Sequence, residues 1–156
     1  MLQLSKRKTQ VQSWFMDLNL VLGYWGGNIK RAYHHTAPIN SLYALHESLL
    51  LLKKEGIENS WIRHKKNGEK LVNELKNIGL KTFVKENERL PQLTSVIIPE
   101  GVDDAITRKS LLEDYNIEIG AGLGDLAGKV WRIGLMGYSS SEENIAACVS
   151  ALKNIL

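Results

Sequence analysis

Apolar residues recur at helical spacing through the first half of the chain and give way to strand-like runs after Gly79. Trp14, Leu18 and Leu22 stand on one helical face, predicting a helix over 14–24 that stops at the breaker pair Gly26-Gly27. A second helix is predicted over 39–54 from the stripe Leu42, Leu45, Leu49 and Leu52, with Thr36 as N-cap and Pro38 near the first turn. A third, over 58–78, carries Trp61, Lys65, Gly68, Val72 and Leu75 on one side and ends with Gly79 just past its C-cap. Glu58, Arg63, Lys66, Glu69, Lys70 and Lys76 fill much of the remaining face, which is expected to be solvated.

Beyond Gly79 the pattern predicts strands over 80–84 and 93–98, the second ended by Pro99-Glu100-Gly101. Asp103 or Asp104 caps a short helix through Ile106, Leu111 and Leu112, which stops at Asn116, a residue that tolerates the left-handed conformation. A short strand over 117–119 follows. Gly120-Ala121-Gly122-Leu123-Gly124 then forms a loop, either a phosphate cradle or, since no helix signal follows it, a plain connector. The run 130–136 is a strand, and Ser140-x-x-Glu143 is a capping box for a last helix with the stripe Ile145, Cys148, Val149 and Leu152. Residues 80–156 therefore predict a small α+β domain, two helices on one face of a mostly antiparallel sheet. The helix over 58–79 is expected to bridge into it. Residues 1–57 have no strand set of their own and are expected to be the C-terminal remnant of a larger domain.

Composition narrows the classes. With 156 residues and 44% hydrophobic content the chain can bury a core, as one domain plus a connecting piece rather than two full domains. A net charge of +3 is mild, and its one cluster, Lys6-Arg7-Lys8, lacks the interleaved aromatics of a nucleic-acid surface, so no nucleic-acid partner is expected. Cys148 is the single cysteine, which excludes an internal disulfide and fits a reducing compartment; on an apolar helix face it is a core thiol rather than a nucleophile. No run approaches the ~20 apolar residues of a membrane span, and no signal-peptide pattern opens the chain. A soluble, intracellular protein without a membrane partner is expected.

Two places invite chemistry. In the strand over 130–136, Val130, Arg132, Gly134 and Met136 share one face and Trp131, Ile133 and Leu135 the other, and both faces are expected to be mostly buried. A guanidinium there needs an anion, and its fork suits a carboxylate. That anion is either one of the chain's seventeen acidic residues or a small ligand, which Gly134 favours by leaving open space beside the guanidinium. The second place is Tyr33-His34-His35-Thr36-Ala37-Pro38 at a helix entrance, where free N–H groups and the Tyr33 and Thr36 hydroxyls could receive phosphate. The alternative is that Thr36 only caps and Tyr33 only packs. His34-His35 has no cysteine or acid at ligand spacing, so no metal site is expected.

Taken in order, Arg7-Lys8-Thr9, Asp17, Tyr24-Trp25-Gly26, Tyr33-His34-His35-Thr36-Ala37-Pro38, Ser41-Leu42-Tyr43-Ala44-Leu45, Gly56-Ile57-Glu58-Asn59-Ser60-Trp61-Ile62-Arg63-His64, the run from Ile117 to Gly124 and the run from Gly128 to Gly137 resemble the alanine-glyoxylate (serine-pyruvate) aminotransferases. The resemblance covers nearly the whole chain. It implies the α/β fold of pyridoxal-phosphate transferases of fold type I, present in part: the end of the large domain and the small C-terminal domain. It also implies that Tyr33 and Thr36 reach across a homodimer to the phosphate of pyridoxal 5'-phosphate, and that Arg132 clamps the substrate carboxylate. Alanine or serine would donate the amino group and glyoxylate would accept it, giving pyruvate from alanine and glycine from glyoxylate. In such enzymes the cofactor ring acts as electron sink and a lysine moves the α-proton. By alignment on Tyr33 that Schiff-base lysine falls before Met1, and Lys6 and Lys8 do not match it, so no catalytic residue is expected in these 156 residues. Two alternatives stand beside this: a catalytically incomplete piece acting as an interaction or dimerisation module, and a 3-hydroxykynurenine transaminase of the same family. The family implies peroxisomes, otherwise cytoplasm or mitochondria, but Asn154-Ile155-Leu156 is not a Ser-Lys-Leu type of address.

Overall fold

A computed structural model describes residues 4–25 and 30–156, which fall into two compact units, Met1–Leu49 and Leu50–Leu156. The Gly26-Gly27 break lies outside the described residues. In the first unit, α1 spans Leu18–Trp25, with Asp17 at its entrance accepting the Asn19 N–H at 2.9 Å. It starts later than the stripe predicts because Trp14 is engaged elsewhere, its ring stacked on His34 at 4.1 Å. Helix α2, Ile39–Glu55, runs across the boundary between the units. Thr36 does not cap it: Pro38 supplies the first helical carbonyl, accepting from Leu42 N–H at 3.0 Å, so the cap position falls two residues past Thr36. The predicted stripe is open, with Leu42, Leu45 and Leu49 all exposed and no α2 residue buried.

The second unit is an α+β layer. Helix α3 is Ile57–Asn77, β1 is Leu93–Ile97, α4 is Asp104–Tyr115, β2 is Gly120–Ala121, β3 is Val130–Gly134 and α5 is Glu142–Ile155. The three strands pair antiparallel in the order β1-β3-β2. One sheet face carries Val96, Trp131 and Ile133 into a core with Leu71 and Leu75 of α3, Leu111 of α4, and Ile145, Cys148 and Leu152 of α5. Three helices thus cover that face, because α3 packs into the unit as well as leading into it.

Local chemistry sets the element ends. Gly79 adopts φ +86 beyond α3, and Leu80 N–H returns to the Leu75 carbonyl at 3.0 Å, closing the helix with two core leucines in contact range. Asp103 caps α4 by accepting Ile106 N–H at 2.8 Å, while Asp104 takes the Trp131 indole N–H at 3.0 Å and pairs with Arg108. Asn116 ends α4 at φ 55.

Several expected boundaries shift. The strand over 80–84 reduces to one bridge, Thr82 with Val96, flanked by Phe83 N–H to the Ser95 carbonyl and Ile97 N–H to the Lys81 carbonyl, both 2.8 Å; Arg89 takes the Val84 carbonyl at 2.9 Å and draws that end out of the ladder. The strand over 117–119 moves to Gly120–Ala121, since those two residues face Arg132 and Trp131 in register. The last cap is Ser141, accepting Asn144 N–H at 3.2 Å, not Ser140. Ser140 is buried instead, its carbonyl taken by Arg63 and Asn67. The inner face of α3 is also rotated from expectation: Ser60, His64, Asn67, Gly68, Leu71 and Leu75 are buried, whereas Trp61 is 63% exposed. Polar side chains are tolerated there because His64 and Asn67 find backbone partners and Ser60 Oγ lies 3.4 Å from His64 Nδ1.

Candidate functional site

Arg132 stands at the middle of β3, between Ser95 of β1 and Gly120 of β2. Alternation puts Trp131 and Ile133 into the core and leaves Arg132 on the opposite sheet face, half-buried, with Gly134 and Met136 exposed. The Arg132 face is closed only at Val130 and opens from Arg132 onward, which corrects the expectation that both faces are mostly buried, because the helices of the core pack on the other side. Arg132 Nε donates to the Ala121 carbonyl at 2.7 Å. Among the described residues no carboxylate pairs with it. One edge of the guanidinium is thereby fixed and its two terminal nitrogens remain for an incoming anion, which a carboxylate meets through two parallel N–H···O bonds.

Gly120 gives that pose room. A Cβ there would lie 3.3 Å from Arg132 Nη2 and 3.4 Å from Nε, so the bare backbone forms the floor on which the guanidinium rests. At Gly122 a Cβ would drive into the Leu126 carbonyl, which explains the second glycine of the run. Neither role is visible in spacing, since both depend on partners brought up by the fold. The space expected beside Gly134 is bounded by Met136, whose methyl lies 3.5 Å from where a Gly134 Cβ would stand.

In the first unit the structure brings Tyr33 and Thr36 together: Tyr33 Oη and Thr36 Oγ1 are 2.6 Å apart. Tyr33 is 70% exposed, so its hydroxyl is accessible, and Tyr24 meets its ring edge-on at 5.7 Å. Two hydroxyls in hydrogen-bond contact, each with donor and acceptor capacity, suit an oxyanion with several acceptor oxygens. His34 is turned inward and buried, with Nε2 3.1 Å from the Trp14 carbonyl and Nδ1 2.7 Å from His35 Nδ1.

A polar cluster that spacing alone does not reveal ties α3 to the turn 137–140. His64 Nδ1 donates to the Ser60 carbonyl at 2.7 Å, which leaves Nε2 to accept the Gly137 N–H at 3.0 Å. Arg63 Nη1 donates to the Gly137 and Ser140 carbonyls at 2.9 and 2.8 Å, while its Nε and Nη2 grip the Glu55 carboxylate. That bidentate contact raises the Arg63 pKa and lowers that of Glu55. Cys148, in the core as expected, has its thiol pushed up to about 11 by burial.

Comparison with known proteins gives the family. The model of the family Aminotransferase class-V matches residues 22–146. The chain is 42% identical over 152 residues to an alanine–glyoxylate aminotransferase of Callithrix jacchus, covering 96% of this chain and 37% of that protein. Among solved structures, an alanine–glyoxylate aminotransferase from Nostoc sp. superposes with TM-score 0.89 at 50% identity, covering 97% of this chain and 40% of that one. The ureidoglycine-glyoxylate aminotransferase of Bacillus subtilis gives 0.90 at 37% identity, covering 97% and 39%. The chain therefore spans about two-fifths of the length of these relatives, and with its small antiparallel sheet under a layer of helices it belongs to the class-V aminotransferase family.

Proposed function

We propose that this chain supplies the substrate-carboxylate clamp and part of the cofactor-phosphate clamp of a pyridoxal-phosphate aminotransferase that moves an amino group from alanine, or serine, to glyoxylate. The observation that carries this reading is Arg132: a half-buried guanidinium held by Ala121, resting on Gly120 and without an acidic partner among the described residues. Alanine, serine, pyruvate and glyoxylate share one feature, a carboxylate beside the reacting carbon. Gripping that carboxylate by two terminal nitrogens fixes both the position and the plane of the substrate. The names of the relatives support glyoxylate as the acceptor.

The residues present fit the phosphate end of the cofactor, because Tyr33 and Thr36 offer two adjacent hydroxyls on an accessible ring and loop. When bound, the cofactor supplies an electron sink for the electrons of a broken Cα–H bond. Tyr33 and Thr36 would hold its phosphate, and Arg132 would orient the substrate so that this bond faces the sink. Tyr33 and Thr36 serve the cofactor of a second copy in a homodimer, a reading supported by the exposure of Tyr33 and of the α2 leucines.

Arg132→Ala in an aminotransferase containing this chain tests the assignment. Loss of the charge-assisted pair, about 1.5–3 kcal/mol, raises the KM for alanine and for glyoxylate by roughly 10- to 100-fold. Unchanged constants for both substrates reject the carboxylate clamp.

A further inference from the structure

Tyr33 is too exposed for burial to hold it, yet its hydroxyl meets that of Thr36 at 2.6 Å, a pose that contacts of the backbone between them can support. The two intervening residues provide them. His34 is 6% exposed, stacked on Trp14 at 4.1 Å with ring planes 15° apart, and its Nε2 lies 3.1 Å from the Trp14 carbonyl. That carbonyl can only accept, so His34 Nε2 carries the hydrogen. For two neutral rings the consequence is determined: His34 Nδ1 is then a lone pair, and His35 Nδ1, 2.7 Å away, must donate to it. His35 in turn packs against Phe15 at 5.0 Å and Tyr24 at 6.3 Å, and Tyr24 meets Tyr33 edge-on. The line of contacts runs from the Trp14 carbonyl through both imidazoles and Tyr24 back to Tyr33.

We propose that His34 and His35 are positioning residues, a pair of imidazoles with opposite tautomers that holds the Tyr33 and Thr36 hydroxyls ready for a phosphate group. The inference rests on the reading of that hydroxyl pair as a phosphate clamp. The imidazoles act through Tyr33 and Thr36 and do not touch the anion themselves. Their effect is preorganisation: hydroxyls already fixed lose less freedom when the anion arrives.

The test has two arms. Long-range nitrogen–proton NMR of the histidine rings in the chain reads the tautomers directly, with Nε2–H expected for His34 and Nδ1–H for His35; the same tautomer in both rings, or averaging between forms, overturns the pair. Titration with inorganic phosphate, followed at Tyr33 and Thr36, gives the second readout. His35→Asn keeps an N–H near the Nδ1 position and is expected to bind as the native chain does. His35→Leu is expected to weaken binding by about fivefold to tenfold, the freedom of one or two side chains, with the melting temperature little changed. Equal weakening by both variants, or none by His35→Leu, rejects the positioning role. If the native chain shows no response to phosphate, the clamp reading fails and the anion role with it, while the tautomer measurement still decides whether the pair exists.

Discussion

Arg132 shows how one residue's chemistry depends on the atoms it meets. The Ala121 carbonyl holds Nε, the Gly120 backbone leaves room beneath, and the remaining nitrogens face an open sheet surface. Two other residues give sharper tests of the same local geometry. Gly122 cannot take a side chain without moving the Leu126 backbone, and Gly122→Ala is expected to destabilise the second unit by about 1–3 kcal/mol, as overpacking does, read as a lower urea midpoint at unchanged slope. Cys148 has its thiol raised to about 11 by burial. Alkylation by iodoacetamide at neutral pH is therefore expected to be slow in the folded chain and fast in urea, because only a thiolate with access to solvent attacks.

At the scale of elements, α3 is the informative case. Its inner face combines Leu71 and Leu75 toward one end with Ser60, His64 and Asn67 toward the other. The apolar end joins the core; the polar end holds the turn between β3 and α5 by way of Gly137 and Ser140. Gly137, at φ +57, has its N–H bound by His64 and its carbonyl by Arg63, so two consecutive helix residues pin one residue more than seventy positions away. His64→Ala leaves that N–H without its acceptor and is expected to cost about 1–3 kcal/mol. Denaturant unfolding checks this, and Trp61→Ala, on the exposed face, is the control expected to change little.

At the scale of the whole molecule, Glu142 at the start of α5 joins Lys66 and Lys70 of α3 at 2.8 and 2.7 Å. Hydrogen bonds from Lys66 and then Lys70 hold its carboxylate down at about 2. A carboxyl depressed in the folded state stabilises fully above its ordinary value, and the contribution is lost as pH falls toward the folded value. Melting temperature is expected to drop between about pH 4.5 and 2. Glu142→Gln should flatten the part of that drop due to this group, leaving the part due to Glu55, which Arg63 also lowers. A slope identical to that of the native chain would show that the Lys66–Glu142–Lys70 link contributes nothing.

The features legible in the chain share a physical origin. The existence of the helices, a cap at Asp103 or Asp104, the Gly79 and Asn116 stops, the core stripe around Cys148 and the strands at Leu93 and Val130 depend on residues within about one or two turns of one another, and spacing indicated them; the fold chose Asp103 as the cap. The family was legible for a related reason, since its motifs are short runs. What depends on distant backbone was decided only by folding. Trp61 points outward and His64 inward because Gly137 and Ser140 arrive on that side of α3. Gly120 becomes a strand residue and a floor because β3 pairs with it, and Arg132 stays half-exposed because α3, α4 and α5 all take the opposite face of the sheet. Local spacing determined which residues could form each element; long-range pairing of backbone N–H and carbonyl groups decided which faces closed and left the guanidinium half-buried with only Nε bound to the backbone.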